Sequence, residues 1–182
     1  MIKPDGVKNR HIGEIISRIE KEDLDISFIK RTTLTKDMCK VHYAQHINKP
    51  FFKDLTSYMT SGSVIGMLVS GDDAIMRMRV LAGATNPKEA LPGTIRADFA
   101  ESVDRNVIHT SDSVDAVIKE FKNFFPENFG QLINVSPMFD MQAGISKHAD
   151  HVQKLMRNAR KLPDNDAVVD DILKTIAKNN KG

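Results

Sequence analysis

Hydrophobic spacing switches from helical to strand period early in the chain and switches again several times before residue 125, which restricts the fold to one that mixes both elements. Residues 12–22 (IGEIISRIEKE) set Ile12, Ile15, Ile16 and Ile19 on one helical face. Residues 24–30 (LDISFIK) then alternate apolar and polar side chains at first, as a half-buried strand does. Thr35 is placed to cap a helix through Met38, Val41 and His42. Residues 51–60 read as another short helix and 63–70 (SVIGMLVS) as a buried strand. Asp72 is expected to cap a helix through Ile75, Met78 and Arg79. Residues 83–105 carry many turn formers, including Asn86-Pro87 and Pro92-Gly93, and form a long loop, which in compact domains is usually functional. A short strand is expected over 106–109, followed by a helix through Phe121 capped by Ser111 or Asp112. Helices interleaved with few strands point to an α+β sandwich of the split-βαβ kind.

After Gly130 the pattern changes. Residues 145–161 and 164–178 read as two helices separated by Pro163, the second with Val168, Val169, Ile172, Leu173 and Ile176 on one side. The expected division is therefore a domain over 1–130 and a helical C-terminal extension over 131–182. No run approaches the ~18 continuous apolar residues of a membrane helix, and the first residues, MIKPDG, lack the apolar core of a signal peptide. No membrane partner and a cytoplasmic location are expected. A formal net charge of +2 gives no basic excess that would suggest nucleic acid as a partner. One cysteine, Cys39, excludes an internal disulfide framework.

Chemistry concentrates in Asn106-Val107-Ile108-His109-Thr110-Ser111-Asp112-Ser113, where a histidine sits at the end of a strand and the start of a capped helix. Neutral imidazole has an exposed lone pair and accepts a phosphoryl group near neutral pH. Glu120, further along the helix, could hold the other ring nitrogen. An isolated histidine is more often an ordinary core or surface residue, so the neighbouring loop matters. Arg79, Thr85 and Arg96 supply two guanidiniums and a hydroxyl suited to a polyphosphate. Lys3-Pro4-Asp5-Gly6 resembles a phosphate-contacting turn. No GxxxxGK[ST] loop is present, nor the GxGxxG and HRD motifs of protein kinases. His42 and His46, four apart, and His148 and His151 could bind metal, although for His42 and the tail pair core or solvent roles are the simpler reading. Phe121, Phe124 and Phe125 are expected in the core.

MIKPDGV, HYAQH, KPFF, YMTSG, GATNP, PGTIRADF, NVIH and SDS occur in the order and spacing of nucleoside diphosphate kinases, and the resemblance covers residues 1–125 or so. It implies a ferredoxin-like α+β fold with a four-stranded antiparallel sheet. It implies a ping-pong reaction in which a triphosphate, usually ATP, phosphorylates His109 and a second nucleoside diphosphate collects the group. Glu120 and Ser111 match the residues that orient that histidine, and Tyr43 matches the tyrosine beside it. Lys3, Arg79, Thr85, Arg96 and His46 match phosphate contacts, and Lys3 and Asn106 match ribose contacts. Phe51 matches the aromatic under the base, with Val103 as the opposite wall. The implied cofactor is Mg²⁺, carried by the nucleotide phosphates and reached by Asp112 only through water. The implied assembly is a homo-oligomer, hexamer or tetramer.

The chain differs from the resembled pattern in three places. It starts at Met1, where the family has several preceding residues. Thr110 stands where glycine follows the histidine. The chain also runs on past the usual end. The departures at Met1 and Thr110 leave a second reading open, a catalytically weakened homologue that acts as an interaction or regulatory protein.

Overall fold

The computed structural model describes residues 1–129. The helices expected over 145–161 and 164–178, with the apolar stripe Val168–Ile176, lie outside the described residues, as do His148 and His151. Elements follow in the order α1 (Pro4–Lys8), α2 (Ile12–Lys21), β1 (Asp25–Thr33), α3 (Lys36–His42), a 3-10 turn (Ala44–His46), α4 (Phe52–Met59), β2 (Ser63–Ser70), α5 (Ala74–Ala82), α6 (Ile95–Phe99) and α7 (Val114–Phe124). No helix among the described residues is long and apolar enough to cross a membrane.

β1 and β2 pair antiparallel from Asp25 opposite Ser70 to Thr33 opposite Ser63, with an irregularity between Ile26 and Phe28. β2 alternates between two buried faces. Ile65 joins Ile2, Ile15, Ile19, Met78, Ile95 and Ile108 on one side. Val64 and Leu68 join Cys39, Tyr43, Met59, Phe121 and Phe124 on the other. Each fully buried Ile of α2 contributes about 1.5–3 kcal/mol through burial. Gly66 serves the second face, because a Cβ there would lie 2.5 Å from the Phe124 ring. Its absence lets α7 settle directly on the strand.

The four-stranded sheet expected above is reduced to two strands and two bridges among the described residues. Ile2 bridges Ile65 on one side and Ile108 on the other. The cause is local on both segments. Pro4 opens α1 immediately after Ile2 and Lys3, and Val107 leaves the extended region at φ 67. Neither segment can sustain a ladder.

Three other local expectations need correction. The long segment 83–105 contains α6, whose N-cap Thr94 accepts from the Ala97 N–H. Arg18 on α2 anchors that stretch through Asp98 at 2.7 Å and the Gly93 carbonyl at 3.2 Å. The N-cap of α5 is Asp73 rather than Asp72, and it makes no side-chain cap bond because its backbone is left-handed. The N-cap of α7 is Ser113, not Ser111 or Asp112. Thr35 caps α3 as expected, accepting from Met38.

Candidate active site

His109 follows the Ile2–Ile108 bridge, and its backbone N–H donates to the Met1 carbonyl at 2.8 Å. Glu120 projects from α7 toward it. The His109 Nε2 lies 3.0 Å from both carboxylate oxygens of Glu120. Ser111 Oγ donates to the same carboxylate at 2.8 Å. Ser111 therefore orients the histidine through Glu120, which is why it is not available as a helix cap. Burial pushes the His109 imidazolium down, against the opposing pull of Glu120, so the ring is neutral near pH 7. Burial alone would raise the Glu120 carboxyl, but the His109 and Ser111 bonds hold it well below the usual carboxylate range.

Cationic groups gather on the loop side. Arg96, on α6, donates to the carbonyls of Gly83 at 2.6 Å and Ile108 at 2.9 Å. Its Nε has no partner among the described residues. Burial, then the nearby Arg79 charge, lowers the Arg96 guanidinium to about 10. Lys3 is buried and donates to Asn106 Oδ1 at 2.5 Å, while Asn106 Nδ2 donates to the Thr85 carbonyl at 3.2 Å. Burial first and Arg96 second bring Lys3 down to about 8. Two desolvated cations, Lys3 and Arg96, whose charges are each further disfavoured by a neighbouring guanidinium, form a site ready for an anion.

A shelf of rings lies on the other flank. Tyr43 is buried with its hydroxyl unpartnered among the described residues, and its ring stands edge-on to His109 with centroids 6.2 Å apart. His46 stacks against Tyr43 and lies 5.4 Å from the Phe51 ring. Phe51 and Val103 are both exposed large apolar side chains. Asp112 is exposed and accepts from Ser113. Lys3, Asn106 and Thr85 thus form one connected group, and His109, Glu120, Ser111 and Tyr43 another. Thr85 takes part through its backbone.

His42 takes the core position that was one of the two simpler readings of it, and that position is beside His109. It is buried, both ring nitrogens lack hydrogen-bond partners among the described residues, and its ring centroid lies 4.4 Å from that of His109 in a T-shaped arrangement. Burial, then the proximity of a second titratable ring at His109, lowers it to about 3, so it stays neutral. Its spacing from Cys39 on α3, three residues, puts both on the inward face and was the available signal. It does not pair with His46, because α3 ends at His42 and the following 3-10 turn carries His46 toward Phe51. Donor atoms of His42, His109 and Glu120 lie within 4.8 Å of one another. That nitrogen-rich set suits a borderline ion such as Zn²⁺, not the oxygen-seeking Mg²⁺.

Thr110 has no positive φ, so a β-branched residue there is unstrained. It lines a cavity beside His109, Ser111 and Glu120. Thr110→Gly is expected to change kcat/KM by less than about tenfold, or 1.4 kcal/mol, in steady-state assays. A gain of a hundredfold or more in the glycine variant would mean that Thr110 cripples the site.

A family model described as nucleoside diphosphate kinase matches residues 1–129. A nucleoside diphosphate kinase of Picrophilus torridus is 48% identical over 128 residues, covering 70% of this chain and 93% of that one. Nucleoside diphosphate kinase 1 of Protochlamydia amoebophila is 52% identical over 125 residues, covering 69% and 89%. Among solved structures, the apo enzyme of Encephalitozoon cuniculi matches with TM-score 0.68 at 38% identity, covering 70% of this chain and 87% of that one. The Halobacterium salinarum enzyme in complex with CDP matches with TM-score 0.66 at 41% identity, covering 68% and 83%. With a histidine–glutamate pair near the buried Lys3 and the part-buried Arg96, and with this likeness across the whole described region, the chain belongs to the nucleoside diphosphate kinase family, α+β enzymes that transfer phosphoryl groups between nucleoside triphosphates and diphosphates.

Proposed function

We propose that the phosphoryl group travels on His109 in a ping-pong reaction. The observation that carries this reading is the pair of 3.0 Å contacts from His109 Nε2 to Glu120. Glu120 accepts the Nε2 proton, so Nδ1 holds the lone pair. Nδ1 attacks the γ-phosphorus of the triphosphate, usually ATP. A P–N bond forms as the bond to the β-phosphate oxygen breaks, and the diphosphate leaves. A β-phosphate oxygen of a second diphosphate then attacks the same phosphorus and restores the neutral ring. Glu120 stabilises the positive charge that the ring carries between the two steps.

Positioning and charge stabilisation supply most of the catalysis of such a transfer. Lys3, Arg79, Arg96, His46 and the Thr85 segment hold the phosphates in this reading, and Tyr43 directs its hydroxyl toward the group in flight. Asn106 and Lys3 hold the ribose hydroxyls. Phosphate oxygens of the nucleotide would hold Mg²⁺, which would supply neutralisation of phosphate charge when bound. Asp112, an exposed carboxylate, is the protein oxygen suited to reach it through water. We take residues 1–130 as the kinase domain and read its sheet as a shortened ferredoxin-like one. We assign it to a homo-oligomer, a hexamer or tetramer.

The base is held by stacking on Phe51 with Val103 opposite, and stacking reads a π-face common to all bases. Purine and pyrimidine diphosphates are therefore expected to differ in kcat/KM by no more than about 2 kcal/mol, and deoxy substrates are expected to react. Competition among the diphosphates in one assay measures this directly. A preference of several thousand-fold for one base would reveal a base-reading group and remove Phe51 as the main contact.

A further inference from the structure

Val107 stands between Asn106 and the His109 segment in a conformation its own side chain disfavours. It is β-branched and fully buried, and its φ is 67. The Ile108 N–H donates to the Asn106 carbonyl at 2.7 Å, closing a γ-turn around it. β-Branched residues avoid the left-handed region, and such a backbone persists only where its surroundings over-determine it.

Those surroundings come from one short segment at the other end of the chain. The Lys3 N–H donates to the Val107 carbonyl at 2.7 Å. The Val107 N–H donates to Asp5 Oδ2 at 3.0 Å. Asp5 is itself buried, and its second oxygen accepts from the Tyr58 hydroxyl at 2.5 Å. Tyr58 is steadied in turn by the Arg105 guanidinium, 5.5 Å from its ring centroid. A Cβ on Gly6 would lie 2.8 Å from Ile2 Cγ2, 3.0 Å from Val107 Cγ1 and 3.2 Å from the Val107 carbonyl oxygen. Gly6 thus permits the close approach, and Asp5 locks it. Both sides of the turn are functional in the reading above: Asn106 holds Lys3, and the Ile108 carbonyl receives Arg96.

We propose that Asp5, braced by Tyr58, is a positioning residue for phosphotransfer that acts by clamping the Val107 turn and thereby setting Asn106 and His109. Both carboxylate oxygens of Asp5 are engaged within the protein, one by Tyr58 and one by the Val107 N–H. The Lys3-Pro4-Asp5-Gly6 motif is then only partly a phosphate-contacting turn: Lys3 faces the site, and Asp5 and Gly6 hold the backbone that carries the nucleophile. This inference rests on His109 as the phosphoryl carrier.

Single-turnover phosphorylation of the full chain by ATP tests it, with ADP affinity and melting temperature measured on the same preparations. Asp5→Ala is expected to slow His109 phosphorylation per folded site by about 100-fold, the scale of a small misplacement of reacting groups. Adding Val107→Gly is expected to recover about tenfold or more relative to Asp5→Ala, because glycine adopts positive φ without a clamp. Asp5→Asn keeps an acceptor for Val107, lets Tyr58 accept from the amide, and is expected to stay within about tenfold of the parent. Tyr58→Phe is expected to lose about threefold or more in the parent and nothing further in the Val107→Gly background. A purely structural role predicts a lower melting temperature with an unchanged rate per folded site, and a double variant worse than either single one. A folded Asp5→Ala protein with the parent rate, or one whose loss Val107→Gly does not reverse, overturns the proposal. Should Asp5→Ala not fold, Tyr58→Phe decides: no loss, or equal losses in both backgrounds, overturns it. A parent chain that takes up no phosphate on His109 would instead overturn the phosphohistidine reading, before any variant is compared.

Discussion

His109→Gln is expected to lower phosphotransfer by at least about 10⁴-fold, or roughly 5.5 kcal/mol in the barrier, while leaving the fold intact. A glutamine amide nitrogen can take the place of Nε2 and donate to Glu120, so the buried carboxylate keeps a partner and the Ser111 bond survives. What it lacks is a ring nitrogen with a lone pair and the ability to carry positive charge while phosphorylated. Steady-state assays with ATP and a second diphosphate, together with a melting curve, separate the two effects. More than about 1% residual activity in a folded variant would place the nucleophile elsewhere.

Arg96→Ala is expected to cost about 10²–10³-fold in kcat, the scale for removing one preorganised group aimed at developing charge. Arg96 is a strong candidate because its two Nη atoms are anchored on the Gly83 and Ile108 carbonyls, so the guanidinium is held before nucleotide arrives. Its charge is desolvated and further disfavoured by Arg79, and both penalties are relieved when an anion binds. Arg96→Lys is expected to recover little, because one ammonium nitrogen replaces the rigid planar fork whose two separate Nη atoms reach the Gly83 and Ile108 carbonyls. A variant within about fivefold of the parent in kcat would remove Arg96 from the transition-state contacts.

The elements that the sequence expressed most clearly were those set by burial alone. Ile15 and Ile19 lie on the inward stripe of α2, and the run SVIGMLVS matches β2 residue for residue because both of its faces are covered. Local chemistry was less informative where several residues could do the same job. Ser111, Asp112 and Ser113 are all good caps, and only the contact of Ser111 with Glu120, made in three dimensions, leaves Ser113 to cap α7. The 106–109 segment misled for a related reason. Val107 and Ile108 have strand propensity, but Asp5, 102 residues away, holds Val107 in a turn. His42 is in the core, one of the two readings given for it, but its contact with the His109 ring is made only in three dimensions, and it makes no hydrogen bond of its own among the described residues. In the site, the candidate residues Lys3 and Asn106, and His109, Ser111 and Glu120, are joined by direct hydrogen bonds in two groups, so their proximity was legible from the motifs that carry them. The clamp behind it was not legible, since an aspartate in a PDG turn has no local feature that names a distant backbone N–H as its partner.

The most direct test of the account is to incubate the full chain with ATP labelled in the γ-phosphate and isolate the protein. The expected result is one phosphate per chain, labile in acid and stable in base, bonded to Nδ1 of His109 and discharged by any added nucleoside diphosphate. Label that is stable in acid, or label that persists in His109→Gln, would contradict it.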